Sequence, residues 1–437
     1  MSRFQAGVVL MCAALCVVEG FDILVMSFAS SGVARDWGLT GATIGVLLSA
    51  CPFGMAVGSA VVAPLADRIG RRPLTLLCLS ATTVAMALSA ATRNAAELTA
   101  CRVLAGLAIG GLVASLPVLV SEYSPARRRG SAVALYTTGL PLGGVVGGSV
   151  ATLVGSQFGW RGTFAAGALL TITLLLISVV ALPESLDYLE TRRPAHALER
   201  INRTLARMGR TPLAQLDEHQ AAPIGVTSGI LRGRSGRRTF LLWAAFLILM
   251  ACFYFAASWT PVLLERSGLS AEQGIGGGML LNVGGIAATL LFSVLALVVR
   301  RPTLTALAFL IGAVSFVAMG LSLGSLGGAL TAAVAVGVTI NAAASGLYSM
   351  APDLYPASVR TTAVGWAASI GRIGAIVAPL LAGFLLDAGW TPQRLMVLFA
   401  APFAVGGLCV LLIAKLGRPA REDTPAPAVG QPAPGIS

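Results

Sequence analysis

"VVEGFDILVMSF", residues Val17 to Phe28, sets two carboxylates, Glu19 and Asp22, three positions apart inside an apolar run. On a water-exposed helix such a pair is ordinary. In hydrocarbon an ionisable group costs on the order of a few kcal/mol and is retained chiefly for function. What the pair means depends on whether this run crosses a membrane.

Composition says that it does. Of 437 residues, 56% are apolar and 11% charged, with a mean hydropathy of +0.84; soluble domains carry about 25% charged residues. Runs of about 20 apolar residues, enough to span a bilayer, fall near 7–30, 44–66, 73–91, 97–120, 131–154, 162–182, 239–264, 276–299, 304–323, 327–350, 364–385 and 395–416. Twelve spans make this an all-α polytopic membrane protein. With both termini placed in the cytoplasm, 23 of the 30 Lys and Arg fall inside. Five (Arg35, Arg93, Arg161, Arg266, Arg394) fall outside, and Arg102 and Arg372 lie within spans. Every testable short loop obeys the positive-inside rule, so the net charge of +12 is mostly topology and not a nucleic-acid footprint. The expected location is a bacterial-type inner membrane.

Arg3 before an apolar stretch imitates a secretory signal. The two acids, the length and the want of a small-residue cleavage site make it a first transmembrane helix instead. The seven Cys form no C-x-x-C pair, and Cys12, Cys51, Cys78 and Cys252 sit in apolar runs. They read as small helix residues and not as ligands or disulfides. Only His196 and His219 exist, both in the polar middle, so no His-based metal site or relay is available in the membrane. No cofactor is expected.

Residues 183–238 form the one long polar interruption, a cytoplasmic linker with some helix from Pro194 to Met208. It divides six-helix bundles at 1–182 and 239–418. The Pro/Ala-rich tail 419–437 reads as disordered. The halves resemble each other. "EYSPARRRGSAV" (Glu122–Val133) aligns with "DLYPASVRTTAV" (Asp353–Val364) at an offset of 231, pairing Pro125 with Pro356 and Arg129 with Arg360. "RRPLTL" at Arg71 aligns with "RRPTLT" at Arg300, offset 229. Two loops with nearly one offset imply a duplicated unit. Parallel halves of this kind hold substrate between them and work by rocking.

Few charges then remain to explain. Glu19 lies about 12 residues into helix 1, roughly 18 Å deep, with Asp22 a turn further on the same face. Desolvation and mutual repulsion suit the pair to taking up a proton from one side and releasing it to the other. A structural pair hydrogen-bonded across the bundle is the alternative. Arg372, in "SIGRIGAIVAP", is about 12 residues into helix 11 and needs an anion: Asp22, Glu19 or a substrate carboxylate. Its first-half counterpart is Pro141. Arg102, about five residues into helix 4, is shallow enough to snorkel outward. Tyr136 and Trp366 suit packing between helices or stacking on a ligand, while Tyr254 and Trp259 suit an interfacial belt. "GLPLGGVVGG" (Gly139–Gly148) permits close helix packing and is no phosphate loop, since no Lys-Ser/Thr follows. No nucleophile–base pair or metal constellation supports an enzyme.

"APLADRIGRR" (Ala63–Arg72) resembles the G-x-x-x-D-R-x-G-R-R signature of the major facilitator superfamily, and "RVLAGLAIGG" from Arg102 is similar to its helix-4 signature. More narrowly, "EGFD", "SEYSP" with its Arg cluster, "SWTPVLL" and "LYPASVRTTAVGWAASIGRIGAI" resemble the aromatic acid:proton symporter family, over nearly the whole chain. The resemblance implies the major facilitator fold, two pseudo-symmetric six-helix halves. It also implies a monomer that imports an aromatic carboxylate, such as 4-hydroxybenzoate, protocatechuate or benzoate, with a proton. By resemblance, the helix-1 acids needed for transport are Glu19 and Asp22, and the cytoplasmic gating loop is Asp67, Arg68, Gly70 and Arg71. Glu122, Arg129 and Arg360 join the gating set, and Arg102, Tyr136, Trp366 and Arg372 are the substrate candidates.

Three departures stand out. Glu19 replaces the family's usual Asp, Ala63 replaces Gly, and the second-half loop "SVLALVVRRPTL" lacks both the acid and the Gly. A sugar or aliphatic-metabolite symporter and a drug/proton antiporter stay open. "LPES" (Leu182–Ser185) occurs in sugar porters too, and helix 5 resembles the antiporter pattern with Pro141 displaced. Arg372 together with the acidic pair favours an anionic substrate.

Overall fold

The computed structural model describes residues 1–215, 233–355 and 359–416, and its long elements are all helices. The first half holds α1 (Arg3–Trp37), α2 (Gly41–Val61), α3 (Arg71–Ala91), α4 (Ala95–Tyr123), α5 (Arg129–Leu153) and α6 (Gly155–Ala181). The second holds α7 (Gly233–Arg266), α8 (Ala271–Leu295), α9 (Arg301–Ser322), α10 (Leu326–Met350), α11 (Arg360–Asp387) and α12 (Pro392–Lys415). Among the described residues, twelve helices are long and apolar enough to cross a membrane. An even number of crossings leaves Arg3 and Lys415 on one face, called here the terminal face.

Each of the twelve helices starts before its apolar window, and α1 shows how caps rather than hydropathy can bound a helix. The window 7–30 becomes α1, which starts where the Ser2 hydroxyl accepts the Gln5 N–H at 3.2 Å and stops at Gly38 in a left-handed conformation, φ 62°. The linker carries helices Leu186–Arg192 and Ala197–Met208. The second begins later than Pro194 because His196, at φ 62°, breaks the backbone just before it. Its buried stripe of Ala197, Ile201, Leu205 and Met208 holds it down, and Met208 joins the first-half core. Residues 216–232, Pro356 and the tail 419–437 lie outside the described residues.

Duplication is visible in the packing. A Cβ at Gly143 would strike the carbonyl of Val17, and a Cβ at Gly374 would strike the carbonyl of Leu247. These pairs are α5 on α1 and α11 on α7, displaced by one repeat. Close backbone approach of this kind is what small residues permit between membrane helices. Thr75 donates to the Arg71 carbonyl at 2.7 Å, and Thr305 to that of Arg301 at 2.7 Å.

The halves are joined mainly away from the terminal face. Ser27 on α1 donates to the carbonyls of Ala257 and Ser258 on α7 at 2.9 and 2.8 Å. Ser49 on α2 donates to Ile376 on α11 at 2.8 Å. Phe28 fills the space that a Cβ at Gly147 or Gly278 would need, wedging α1 between α5 and α8. Toward the terminal face, the hydrogen bonds between the halves end, among the described residues, at Arg372 on Met55 and Ser59.

Candidate functional site

Two polar constellations stand out, one buried within the first half and one where α11 of the second half meets α2 of the first. The first begins on α1, where Glu19 and Asp22 are 3% and 1% exposed. Both are directed into the first half. Cys16, Cys78 and Tyr136 are within electrostatic reach of Glu19, and Arg102 is within reach of Asp22. Arg102 is fully buried. Its guanidinium donates to the Ser89 hydroxyl at 3.0 Å and the Met86 sulfur at 3.1 Å, and stands 3.5 Å from the Asp22 backbone carbonyl and 4.9 Å above the Phe164 ring. The expected snorkelling is therefore corrected. A helical side chain leans toward its own N-terminus, but α3 and α6 cover that direction with Ser89, Met86 and Phe164.

Within this half, buried atoms Glu19 Oε1, Asp22 Oδ1, Arg102 Nε and Thr82 Oγ1 have no hydrogen-bond partner. Orphaned buried polar atoms are rare in folded proteins, and a group of them marks a place for a proton or a bridging water. Thr82 lies one helical turn from Cys78 and one from Met86 on α3, between the Glu19 and Arg102 ends of the group. Its sequence context, an ordinary Thr in an apolar helix, gave no signal. Tyr136 belongs to this constellation and packs in the first-half core.

The second constellation centres on Arg372 of α11. Its guanidinium donates to the Met55 carbonyl at 2.6 Å and to the Ser59 hydroxyl, both on α2. Neither Glu19 nor Asp22 is its partner, and among the described residues no carboxylate lies within 4.0 Å. Tyr254 and Tyr348 are within reach of the Arg372 charge. Phe246 meets Tyr348 edge-on at 5.1 Å, and Trp243 meets Trp366 at 5.9 Å. Tyr254 is thus within electrostatic reach of the cation, where an interfacial belt was expected. Trp259 is also corrected: it is fully buried and donates to the Pro379 carbonyl at 3.1 Å, because an indole N–H needs a partner when buried.

At the terminal face the loop expected to gate is bonded within the first half. Gly70 adopts φ 102°, and a Cβ there would lie 2.6 Å from Glu184 Oε2. That left-handed turn lets Glu184 accept the N–H groups of Arg71 and Arg72 at 2.9 and 3.1 Å. Arg71 pairs with Glu122, reaches Asp187 at 3.3 Å and donates to Ser185 at 2.8 Å. Glu122 accepts from Ser185 and from the Leu186 N–H. The "LPES" stretch supplies this cluster's closure, a role the sequence reading missed. Arg68, Asp67, Arg129 and Arg360 are exposed, and the Asp67 carbonyl accepts from Arg192 at 2.8 Å. A cavity of about 360 Å³ lies at the other face, lined in part by Phe28, Arg35, Trp160, Pro261 and Glu272, apart from both constellations.

The chain matches the family described as Major Facilitator Superfamily over residues 10–341. It is 30% identical to the 4-hydroxybenzoate transporter PcaK of Pseudomonas aeruginosa, across 94% of this chain and 93% of that protein. It is 30% identical to a gallate transporter of Pseudomonas putida, across 94% and 92%. Among solved structures, the inward open xylose transporter XylE of E. coli superposes with a TM-score of 0.74 at 15% identity, covering 96% of this chain and 98% of that one.

Proposed function

We propose, from the premise that this chain belongs to the Major Facilitator Superfamily, that it imports an aromatic carboxylate together with a proton. The observation that carries this reading is Arg372, whose partners are a neutral carbonyl and a hydroxyl. A half-buried guanidinium is poorly compensated by neutral groups alone. Its planar fork matches a carboxylate. A substrate carboxylate completes Arg372, and Tyr254, Tyr348 and Trp366 offer faces and edges to the ring. 4-Hydroxybenzoate and gallate, named for two relatives, are both ring carboxylates.

The proton is held in the other half. With Glu19 and Asp22 both ionised, Arg102 offsets one of two charges, and the buried core carries a net negative charge. One proton neutralises it. Moving a charged core between environments is costly and moving a neutral one is not, so a protonated pair and a filled Arg372 together favour reorientation.

Positive-inside reasoning puts the Arg-rich terminal face in the cytoplasm of a bacterial-type inner membrane. The hydrogen bonds that join the halves away from that face then lie on the outer side. Bodies 1–182 and 239–418 rock about the contacts of α1 with α7 and of α2 with α11, tethered by 183–238. The cluster of Asp67, Arg68, Gly70, Arg71, Glu122, Arg129 and Arg360 closes the cytoplasmic side.

The test is uptake of labelled 4-hydroxybenzoate into proteoliposomes under an inward proton gradient, with unlabelled acids and sugars as competitors. Accumulation abolished by a protonophore and blocked by aromatic acids but not sugars is expected. Accumulation indifferent to the gradient, or blocked by sugars, would overturn the reading.

A further inference from the structure

Far from either constellation, the last residue of α11 touches the first residues of α2. Asp387 Oδ1 accepts the Gly41 N–H at 2.6 Å, and Oδ2 accepts the Ala42 N–H at 2.8 Å. The first N–H groups of a helix have no intrahelical partner, and the positive end of its dipole favours a carboxylate. Thr40, the residue that α2 itself supplies as a cap, bonds the Thr43 N–H at 3.3 Å and the Thr43 hydroxyl at 3.1 Å, and its side chain also reaches the Asp387 carboxylate. The remaining cap comes from the other half of the molecule, 346 residues away in sequence.

Beneath it runs a seam of small residues at one-turn spacing. A Cβ on Gly41 would lie 2.7 Å from Asp387 Oδ1 and 2.8 Å from the Gly383 carbonyl. A Cβ on Gly45 would lie 2.8 Å from the Pro379 carbonyl. One turn further, Ser49 bonds Ile376. Side chains are almost absent from this contact, and among the described residues the Asp387 carboxylate is the charged group that bonds across it, with Arg266 within electrostatic reach. Asp387 is itself exposed, so water can replace the two N–H donors without burying a charge. Those are the properties of a reversible clasp, not of a permanent weld.

We propose that Asp387 is the latch of the gate opposite the terminal face: it caps α2 across the halves while that face is closed and releases it when the face opens. The inference does not depend on which substrate is carried, and its test uses none. Ser49→Cys places a thiol in the closed seam, and a membrane-impermeant thiol reagent is applied outside intact cells. Labelling of the native cysteines is subtracted using the same variants with Ser49 intact.

Asp387→Asn is expected to raise the labelling rate about tenfold, the loss of one strong charge-assisted contact. Gly41→Ala, which pushes the carboxylate off its donors, is expected to do the same. Asp387→Ser replaces Asp387→Asn if the latter does not reach the membrane. Unchanged labelling in the Asp387 variant overturns the latch, whether or not Gly41→Ala rises. A rise in Gly41→Ala alone would mean that the seam, and not the carboxylate, holds the gate.

Discussion

In the first half, α1 lies against α5 through the Val17–Gly143 contact and carries Glu19 and Asp22 just beyond it. In the second half, α7 lies against α11 through the equivalent Leu247–Gly374 contact and carries Leu249 and Cys252 at the same steps, both fully buried. Arg102 on α4 is matched by the alanines at 332 and 333 on α10, while Arg372 on α11 is matched by Pro141 on α5. One scaffold was built twice, and each copy kept a different charge. The lesson is mechanical. If the proton sits in one body and the carboxylate in the other, the relative motion of the bodies is where the two are coupled, and no contact between the acids and the substrate is needed.

The comparison breaks first at Arg372. Arg372→Gln is expected to raise KM for the aromatic acid at least about 30-fold, on the order of 2 kcal/mol. Arg372→Lys is expected to fail as a rescue, because an ammonium lacks the planar fork. A rise below about threefold would take the carboxylate away from the second half. Scaffold equivalence is tested next. Gly143→Ala and Gly374→Ala each force a Cβ onto a carbonyl, and each should cost about 1–3 kcal/mol, lowering the thermal midpoint in detergent by similar amounts. Clearly unequal losses would mean that the two cradles are not the same structure.

The smallest effect concerns the two loops. Arg71 and Glu122 are 12% and 13% exposed and share several hydrogen bonds, whereas Arg301 and Asp353 are 3.8 Å apart and about half exposed. Glu122→Gln is expected to cost about 1–2 kcal/mol, and Asp353→Asn less than about 0.5 kcal/mol, again by thermal midpoint. Equal costs would restore to the second loop the latch that its sequence lacks.

How much of this was legible in the sequence varies by residue. The twelve spans, their orientation relative to one another and the repeat were open to reading because hydropathy and loop charge are summed along the chain. The importance of Glu19, Asp22 and Arg372 was legible for the same reason: a charge in an apolar run is conspicuous. Partners were not legible, because they depend on which helices adjoin. Depth alone made Arg102 a snorkelling residue; only the neighbouring α3 and α6 show that it is roofed by Ser89 and Phe164. Arg372 was expected to need an anion, Asp22, Glu19 or a substrate carboxylate, and within the protein it meets a carbonyl and a hydroxyl of α2. Thr82, Glu184 and Asp387 carry no conspicuous signal. Each is an ordinary residue type whose meaning comes from an orphaned oxygen or from a contact across the fold.

On the proposed function the proton belongs to the first half and the acid to the second. Its most direct test is Asp22→Asn, reconstituted in proteoliposomes and assayed in two ways. Accumulation of labelled 4-hydroxybenzoate is measured under an inward proton gradient, and exchange of internal for external substrate is measured without one. The account predicts that accumulation is lost while exchange continues, because Arg372 still binds the carboxylate and the halves still rock. Proton-driven accumulation at the wild-type level would contradict it, and loss of exchange along with accumulation would contradict the separation of the two sites.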